Sequence, residues 1–222
     1  EYHWLLARTD PDVPKHKGIS MFIVDMKSPG ITVIPTWTMA DERTNEIFYD
    51  NVRVPKKNLV GVKNQGFYQA STAISLERIF PLGGHQRLFE DILEYAKETR
   101  RNGEPLSKDP ISRYKLSEIA IEIEVLRMFC YRAAWMVDQG KVPDYEAGML
   151  KLFLSELSQR LANFGLQILG LYGQLHKDSK WVPLKGRLER FYRASVIDTI
   201  GGGSSEIERN IIARRGLGLP TI

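Results

Sequence analysis

Cysteine is almost absent from this chain: Cys130 is the single one in 222 residues. One thiol cannot close an intrachain disulfide, so burial has to hold the fold, and the composition fits a reducing compartment. Histidine is scarce as well. His3, His16, His85 and His176 stand far apart and match no metal-ligand spacing, so no metal site is expected. No stretch approaches the roughly 18 consecutive apolar residues that argue a membrane span. There is no internal repeat and no low-complexity tract. The net charge of +4 is spread over separate basic pairs, Lys56-Lys57, Arg100-Arg101 and Arg214-Arg215, with no interleaved aromatics. That pattern argues against a nucleic-acid surface. What remains is 43% hydrophobic and 26% charged residues, the proportions of an ordinary water-soluble globular chain with room for one good core.

The first residues, EYHWLLART, have no initiator Met and no signal-peptide pattern and already read as a strand, so polypeptide is expected before them. Up to about residue 60 the chain is strand-rich, with HWLLART, SMFIVDM, ITVIPTW after the Pro29-Gly30 turn, and EIFYDNVRVP. Four or five short strands cannot bury both faces or close a barrel, so further strands are expected elsewhere. From about residue 65 the apolar period changes from 2 to 3.6. The pattern predicts a first helix over 66–101 and a second with Asp109 as N-cap, Pro110 at the first helical position and a stripe of Ile119, Ile123, Leu126 and Cys130, ending near Gly140. A third starts near Pro143-Asp144, carries Met149, Phe153, Leu157, Leu161, Phe164 and Ile168, and stops at Gly170 or Gly173. A fourth covers 183–199, and a fifth starts at Ser205, which has capping-box spacing to Glu208. The fold class is α+β dominated by α: a partial β-domain over residues 1–62, then an antiparallel helical bundle over 63–222.

Two places break local rules. Pro81 lies inside the predicted first helix, where it leaves the Glu77 carbonyl unpaired and bends the helix. A carboxylate there, among Ala73, Ile74, Leu76, Ile79 and Phe80, would be desolvated and suited to general-base work near neutral pH. Adjacent helical residues point about 100° apart, so Arg78 need not neutralise it. A solvated Glu77 paired with some other cation explains the same spacing, and the residues alone leave both readings open. The second place is Gly201-Gly202-Gly203-Ser204 before a helix. Such a run allows positive φ and close backbone approach, and the helix start offers N–H groups to a ligand. A plain helix-to-helix turn accounts for it equally.

Taken in order, LLARTD at 5–10, HKGISMFIVDM at 16–26, PGITV at 29–33, DNVRVPKKNLVG at 50–61, NQGF at 64–67, LER at 76–78, QILGLYG at 167–173 and GGGSSEIERNIIARRGLGLP at 201–220 resemble the acyl-CoA dehydrogenase family. The resemblance runs from its middle β-domain through its C-terminal helical bundle. It implies FAD as cofactor, an acyl-CoA substrate losing an α-proton to a carboxylate and a β-hydride to the flavin, and a trans-2-enoyl-CoA product. It further implies an electron-transfer flavoprotein as acceptor and a homo- or hetero-tetramer built as a dimer of dimers, in the bacterial cytoplasm or, in a eukaryote, the mitochondrial matrix. In one family pattern the catalytic Glu stands at the position of Gly202; in the isovaleryl and long-chain pattern it precedes an Arg on the first bundle helix. Here the latter position holds Glu77 before Arg78, which identifies Glu77 as the implied base. Arg78 and Gly202 match substrate-side positions. Gly203, Ser204, Glu206, Gln167 and Gly170 match cofactor-side positions, and Arg100 and Arg101, in TRRNG at 99–103, stand in for an arginine element that reaches the partner's FAD. Some relatives pair an active chain with a degenerate one, so a non-catalytic subunit is the competing reading.

Overall fold

The computed structural model describes residues 1–78 and 82–220. Contacts divide the chain into two compact units, Glu1–Ile74 and Ser75–Ile222.

In the first unit β1 (Tyr2–Arg8) runs antiparallel to β2 (Ile19–Asp25), and β5 (Leu59–Val60) lies on the other edge of β2. A separate antiparallel pair joins β3 (Ile31–Trp37) to β4 (Arg43–Tyr49). The fourth strand is shorter than EIFYDNVRVP suggests, because Asn51 turns into the left-handed region with φ 51° and ends the ladder. Along β1 the two-residue period is clear, with Tyr2, Trp4 and Leu6 exposed on one side and His3, Leu5 and Ala7 half-buried on the other. The NQGF segment then sets the start of α1 (Gly66–Glu77). Asn64, at φ 67°, donates its N–H to the buried Ser20 hydroxyl over 2.8 Å and accepts from Thr9 Oγ1 over 2.7 Å. A Cβ on Gly66 would lie 2.6 Å from the Ser20 carbonyl carbon, so only glycine lets the helix begin directly on β2.

The second unit is helical: α2 (Leu82–Glu98), α3 (Pro110–Asp138), α4 (Tyr145–Leu169), α5 (Arg187–Asp198) and α6 (Ser205–Ile211), the last running into a π turn at Ile212–Gly216. Asp109 caps α3 as the sequence indicates, accepting the Ser112 N–H over 2.9 Å, and Gly170 closes α4 at φ 60°. The α3 stripe of Ile119, Ile123, Leu126 and Cys130 is buried. In α4, Leu157, Leu161, Phe164 and Ile168 are buried, while Met149 and Phe153 are only half-buried. Burial runs around nearly the whole of α4, which packs on α2, α3, α5 and α6 and is the central helix of the bundle. Gly165 permits this: a Cβ there would stand 2.6 Å from Leu188 of α5 and 3.0 Å from Ile92 of α2.

Three helix boundaries differ from the sequence reading. The single helix over 66–101 is divided between α1 and α2, and Pro81, where a bend is expected, lies outside the described residues. After Glu98 the chain forms a two-residue-strand hairpin, β6 (Arg100–Arg101) with β7 (Glu104–Pro105), around Asn102 and Gly103 at φ 53° and 85°. Asn-Gly is the preferred pair for such a turn, and this local preference ends the helix. The fourth helix begins only at Arg187, because Leu184, Lys185 and Gly186 all take positive φ. Gly186 has no alternative, since a Cβ would come 2.8 Å from the Lys177 backbone.

Leu157, with no exposed surface on the central helix, sets the expected sensitivity of the core. Leu157→Ala should destabilise the protein by about 2–5 kcal/mol, whereas Ile111→Ala on the outer surface of α3 should stay within about 0.5 kcal/mol of wild type. Urea denaturation of the two variants checks the difference.

Candidate functional site

Arg78 follows the last residue of α1. Its guanidinium grips Glu208 of α6 with both ends: Nη2 lies 2.7 Å from Oε1, and Nη1 donates to Oε2 over 3.1 Å. Its Nε donates to the Gly202 carbonyl over 3.1 Å, and Nη2 bonds the same oxygen. All three nitrogens are thus engaged within the chain. Fork-shaped pairing of this kind fixes direction as well as distance.

Glu208 has no exposed surface. Two glycines from different elements make room for its carboxylate. A Cβ on Gly203 would stand 2.1 Å from Oε1 and 2.7 Å from Arg78 Nη2, and one on Gly148 of α4 would stand 2.8 Å from Oε2. Lys151, one turn along α4 from Gly148 and buried, donates to the Gly203 carbonyl. Arg78 pairs directly with this buried anion and Lys151 acts on it by charge, and between them the two cations hold both carbonyls of the Gly202-Gly203 turn. Burial pushes the Glu208 carboxyl up from its ordinary value while Arg78 and Lys151 pull it down. Burial draws the Lys151 ammonium down, with Glu208 the main opposing influence.

Ser204, not Ser205, is the N-cap of α6, accepting the Ile207 N–H over 3.4 Å. The capping box of Ser205 with Glu208 is thereby overturned: the carboxylate is drawn inward by Arg78 instead of back to the helix start. The sequence leaves two readings open for this turn, and in the structure the N–H groups at the helix start are engaged within the chain. The Ser205 N–H goes to the Thr199 carbonyl over 3.0 Å, that of Glu208 to the Ser204 carbonyl over 2.9 Å, and that of Ile207 to the Ser204 hydroxyl. Glu206 is exposed, and a hydrogen bond from its own backbone N–H, then one from the Ser204 hydroxyl, holds its carboxyl below the usual range.

Glu77 itself is exposed, and the nearby Ile74 and Leu76 are 37% and 39% exposed. The apolar wall read around it is not built by these two residues; Ile79 and Phe80 lie outside the described residues. Arg78, Gly202, Gly203 and the first turn of α6 with Ser204 and Glu206 come together. Gln167 and Gly170 belong to another place, a groove of about 560 Å3 between the end of α4 and α5 that also takes in Tyr192 and Arg193. Arg100 and Arg101 sit on the β6–β7 hairpin, where Arg100 donates to the Gly103 carbonyl over 2.9 Å. Lys151 escaped the sequence reading. The signal was a 3-4-3 run of Gly148, Lys151, Ser155 and Ser158, all of them buried on α4.

A flavin dinucleotide needs close backbone approach at some points and polar side chains at others. Gly202 at φ 70° and Gly170 at φ 60° each have no atom within 4 Å of a would-be Cβ, so both leave open backbone that a side chain would fill. With Ser204, Glu206 and Gln167 beside them, the residues present fit such a group. Among the described residues there is no cluster of His, Cys, Asp or Glu able to hold a metal ion, and no helix long and apolar enough to cross a membrane.

The two glycines of the turn should respond differently to a methyl group. Gly202→Ala meets only the left-handed backbone penalty, roughly 1–2 kcal/mol. Gly203→Ala adds collision with the Arg78–Glu208 pair and should cost clearly more, on the order of 3–5 kcal/mol. Thermal and urea denaturation of both variants measure the gap.

The sequence profile of the acyl-CoA dehydrogenase C-terminal domain matches residues 64–217. Acyl-CoA dehydrogenase FadE26 of Mycobacterium tuberculosis is 33% identical over 99% of this chain and 57% of its own length. Cyclohexane-1-carbonyl-CoA dehydrogenase of Geobacter metallireducens is 32% identical over 96% of this chain and 55% of its own. The ChsE4-ChsE5 complex from Mycobacterium tuberculosis superposes with a TM-score of 0.89 at 32% identity, covering 100% of this chain and 58% of that one. The chain thus spans a little over half the length of the relatives it matches. With the bundle, the clamped diglycine turn and these matches in agreement, this chain belongs to the acyl-CoA dehydrogenase family.

Proposed function

We propose that the protein carrying this chain is an FAD-dependent acyl-CoA dehydrogenase, with residues 1–62 as the end of its middle β-domain and 63–222 as its C-terminal bundle. Glu77 is the base for the α-proton. The observation that carries this reading is the hydrogen bond from Arg78 to the Gly202 carbonyl. The family sets its base at one of two positions, and the side chain of Arg78, the neighbour of Glu77 in sequence, reaches the Gly202 carbonyl, which supports the view that both positions face one site. On this reading a carboxylate from either one would serve the same reacting carbon. Here Gly202 has no side chain and Glu77 supplies the only carboxylate of the two.

In this reading the exposed Glu77 carboxylate meets the α C–H of a bound thioester and takes its proton. FAD, when bound, supplies the acceptor for the hydride that leaves the β-carbon, and the product is a trans-2-enoyl-CoA. Gly203, Ser204 and Glu206 would hold the flavin at the turn. Gln167 and Gly170, with Arg100 and Arg101, would meet the dinucleotide of a partner subunit in a dimer-of-dimers tetramer. Arg78 lines the substrate side while its head group holds the turn. An electron-transfer flavoprotein is the proposed acceptor. The open space at Gly202, and the cyclic acyl group in the name of one relative, favour a branched, long or cyclic acyl chain.

One observation favours a second reading, a non-catalytic subunit: the matched ChsE4-ChsE5 structure is a complex of two chains. A single measurement separates them. Full-length protein with bound flavin should bleach on addition of an acyl-CoA, and Glu77→Gln should slow bleaching by roughly 10² to 10⁴ with flavin retained. Flavin that stays yellow in the wild type with every acyl-CoA would favour the non-catalytic subunit. A Glu77→Gln protein that bleaches normally would remove Glu77 from the role.

A further inference from the structure

The structure assigns to Glu208 a positioning role: as a buried carboxylate shared by Arg78 and Lys151, it sets the place of the Gly202-Gly203 turn against the end of α1 that carries Glu77. The functional half of this inference rests on the reading of Glu77 as the base; the electrostatic half does not.

The geometry leaves little slack. Arg78 cannot move without releasing both the Glu208 carboxylate and the Gly202 carbonyl, because its three nitrogens serve those two partners together. Lys151 holds the next carbonyl, that of Gly203, from α4. Glu208 fills the space between them only because Gly148 and Gly203 lack side chains. The charges also need one another. Without the carboxylate, the buried Lys151 ammonium would be left with the repulsion of the Arg78 guanidinium, and the group able to lose its proton is Lys151, since a guanidinium stays charged. The charged groups acting on Lys151 come from three other places: Arg78 at the end of α1, Glu208 and Glu206 on α6, and Asp198 on α5. Of these Glu208 exerts the largest opposing influence, so its loss leaves Lys151 the most exposed to the burial penalty.

The sign of the resulting pH effect follows. Lys151 is already drawn below the ordinary lysine value of 10.5. A lysine depressed in the folded state favours unfolding while it must carry its proton, and that burden lifts as pH rises toward the unfolded value. In Glu208→Gln the depression deepens. Its stability deficit against wild type should be large near neutral pH and shrink as pH climbs into the alkaline range.

The test uses full-length, flavin-loaded protein in four forms: wild type, Glu208→Gln, Lys151→Met and the double variant. Urea midpoints are measured from pH 6 to 10, alongside the rate at which an acyl-CoA bleaches the flavin. Glu208→Gln should show the pH-dependent deficit. The double variant should lose that pH dependence and regain part of the midpoint, because the unpaired ammonium is gone. Lys151→Met alone should lose less than Glu208→Gln, since Arg78 and Glu208 remain paired. Among folded, flavin-bound molecules Glu208→Gln should bleach about 10- to 100-fold more slowly at saturating acyl-CoA, as a small misplacement of a base costs. A Glu208→Gln midpoint that tracks wild type at every pH, or a deficit that the second change does not flatten, overturns the charge assignment. A normal bleaching rate in folded Glu208→Gln overturns the positioning role. If Glu77→Gln bleaches normally, the base assignment fails on its own account, while the midpoint series still decides the charge cluster.

Discussion

A carboxylate with no exposed surface has to be neutralised where it stands, and Glu208 is balanced by two cations from different elements, Arg78 after α1 and Lys151 on α4. Much of the local architecture answers to that requirement. Gly148 thins α4 where the carboxylate passes, Gly203 empties the turn beside it, and Lys151 is tolerated inside the unit because an anion lies near. Buried pairs of this kind contribute little net stability against an apolar replacement, because desolvation offsets most of the attraction. Breaking one side is costly. The pair therefore acts less as a source of stability than as a constraint on where Arg78, α4 and the turn lie.

The central helix shows how such a constraint is written into sequence. One stripe of α4, Leu157, Leu161, Phe164 and Ile168, announces itself as core. Another, Gly148, Lys151, Ser155, Ser158, Ala162 and Gly165, follows the same 3-4 spacing in small and polar residues and is buried just as fully. By hydropathy alone it reads as the solvent face. Its residues are small because α5 and α6 approach closely, as the contacts at Gly165 and Gly148 indicate. Its hydroxyls are satisfied locally, as when Ser158 donates to the Leu154 carbonyl and meets His85 Nε2 over 2.7 Å. A helix surrounded by partners shows two kinds of buried face, and only the apolar kind is legible from one sequence.

What could be read beforehand followed from local chemistry. Asp109 before Pro110, the glycines at 140 and 170 and the two-residue period of β1 each act within one element, and each appears where the residues put it. The errors arose where a distant partner competed with a local rule. Ser205 and Glu208 have capping-box spacing, but Glu208 is taken by Arg78, 130 positions away in sequence, and the cap passes to Ser204. Leu184 and Lys185 look helical until the fit of Gly186 against Lys177 fixes a left-handed turn. The candidate site was legible as motifs, LER and GGGSS, but not as an arrangement: neither string states that the arginine of one grips the carbonyl of the other.

That grip bears on where a base can stand. Gly202 holds φ at 70°, a conformation that costs an ordinary side chain roughly 1–2 kcal/mol. A carboxylate mounted there must accept this strain, or the turn must shift to relieve it. Glu77 occupies the last position of a regular helix and carries no such burden. Placing the carboxylate on α1 frees the turn to adopt the geometry that Arg78 and Lys151 demand of its two carbonyls, and leaves the space above Gly202 empty. The same arginine that fastens the turn is joined to Glu77 by one peptide bond, so the position of the carboxylate and that of the turn are set by a single side chain. In the proposed reading, a change of side chain at residue 202 would reshape the space at the turn while the base stays on α1.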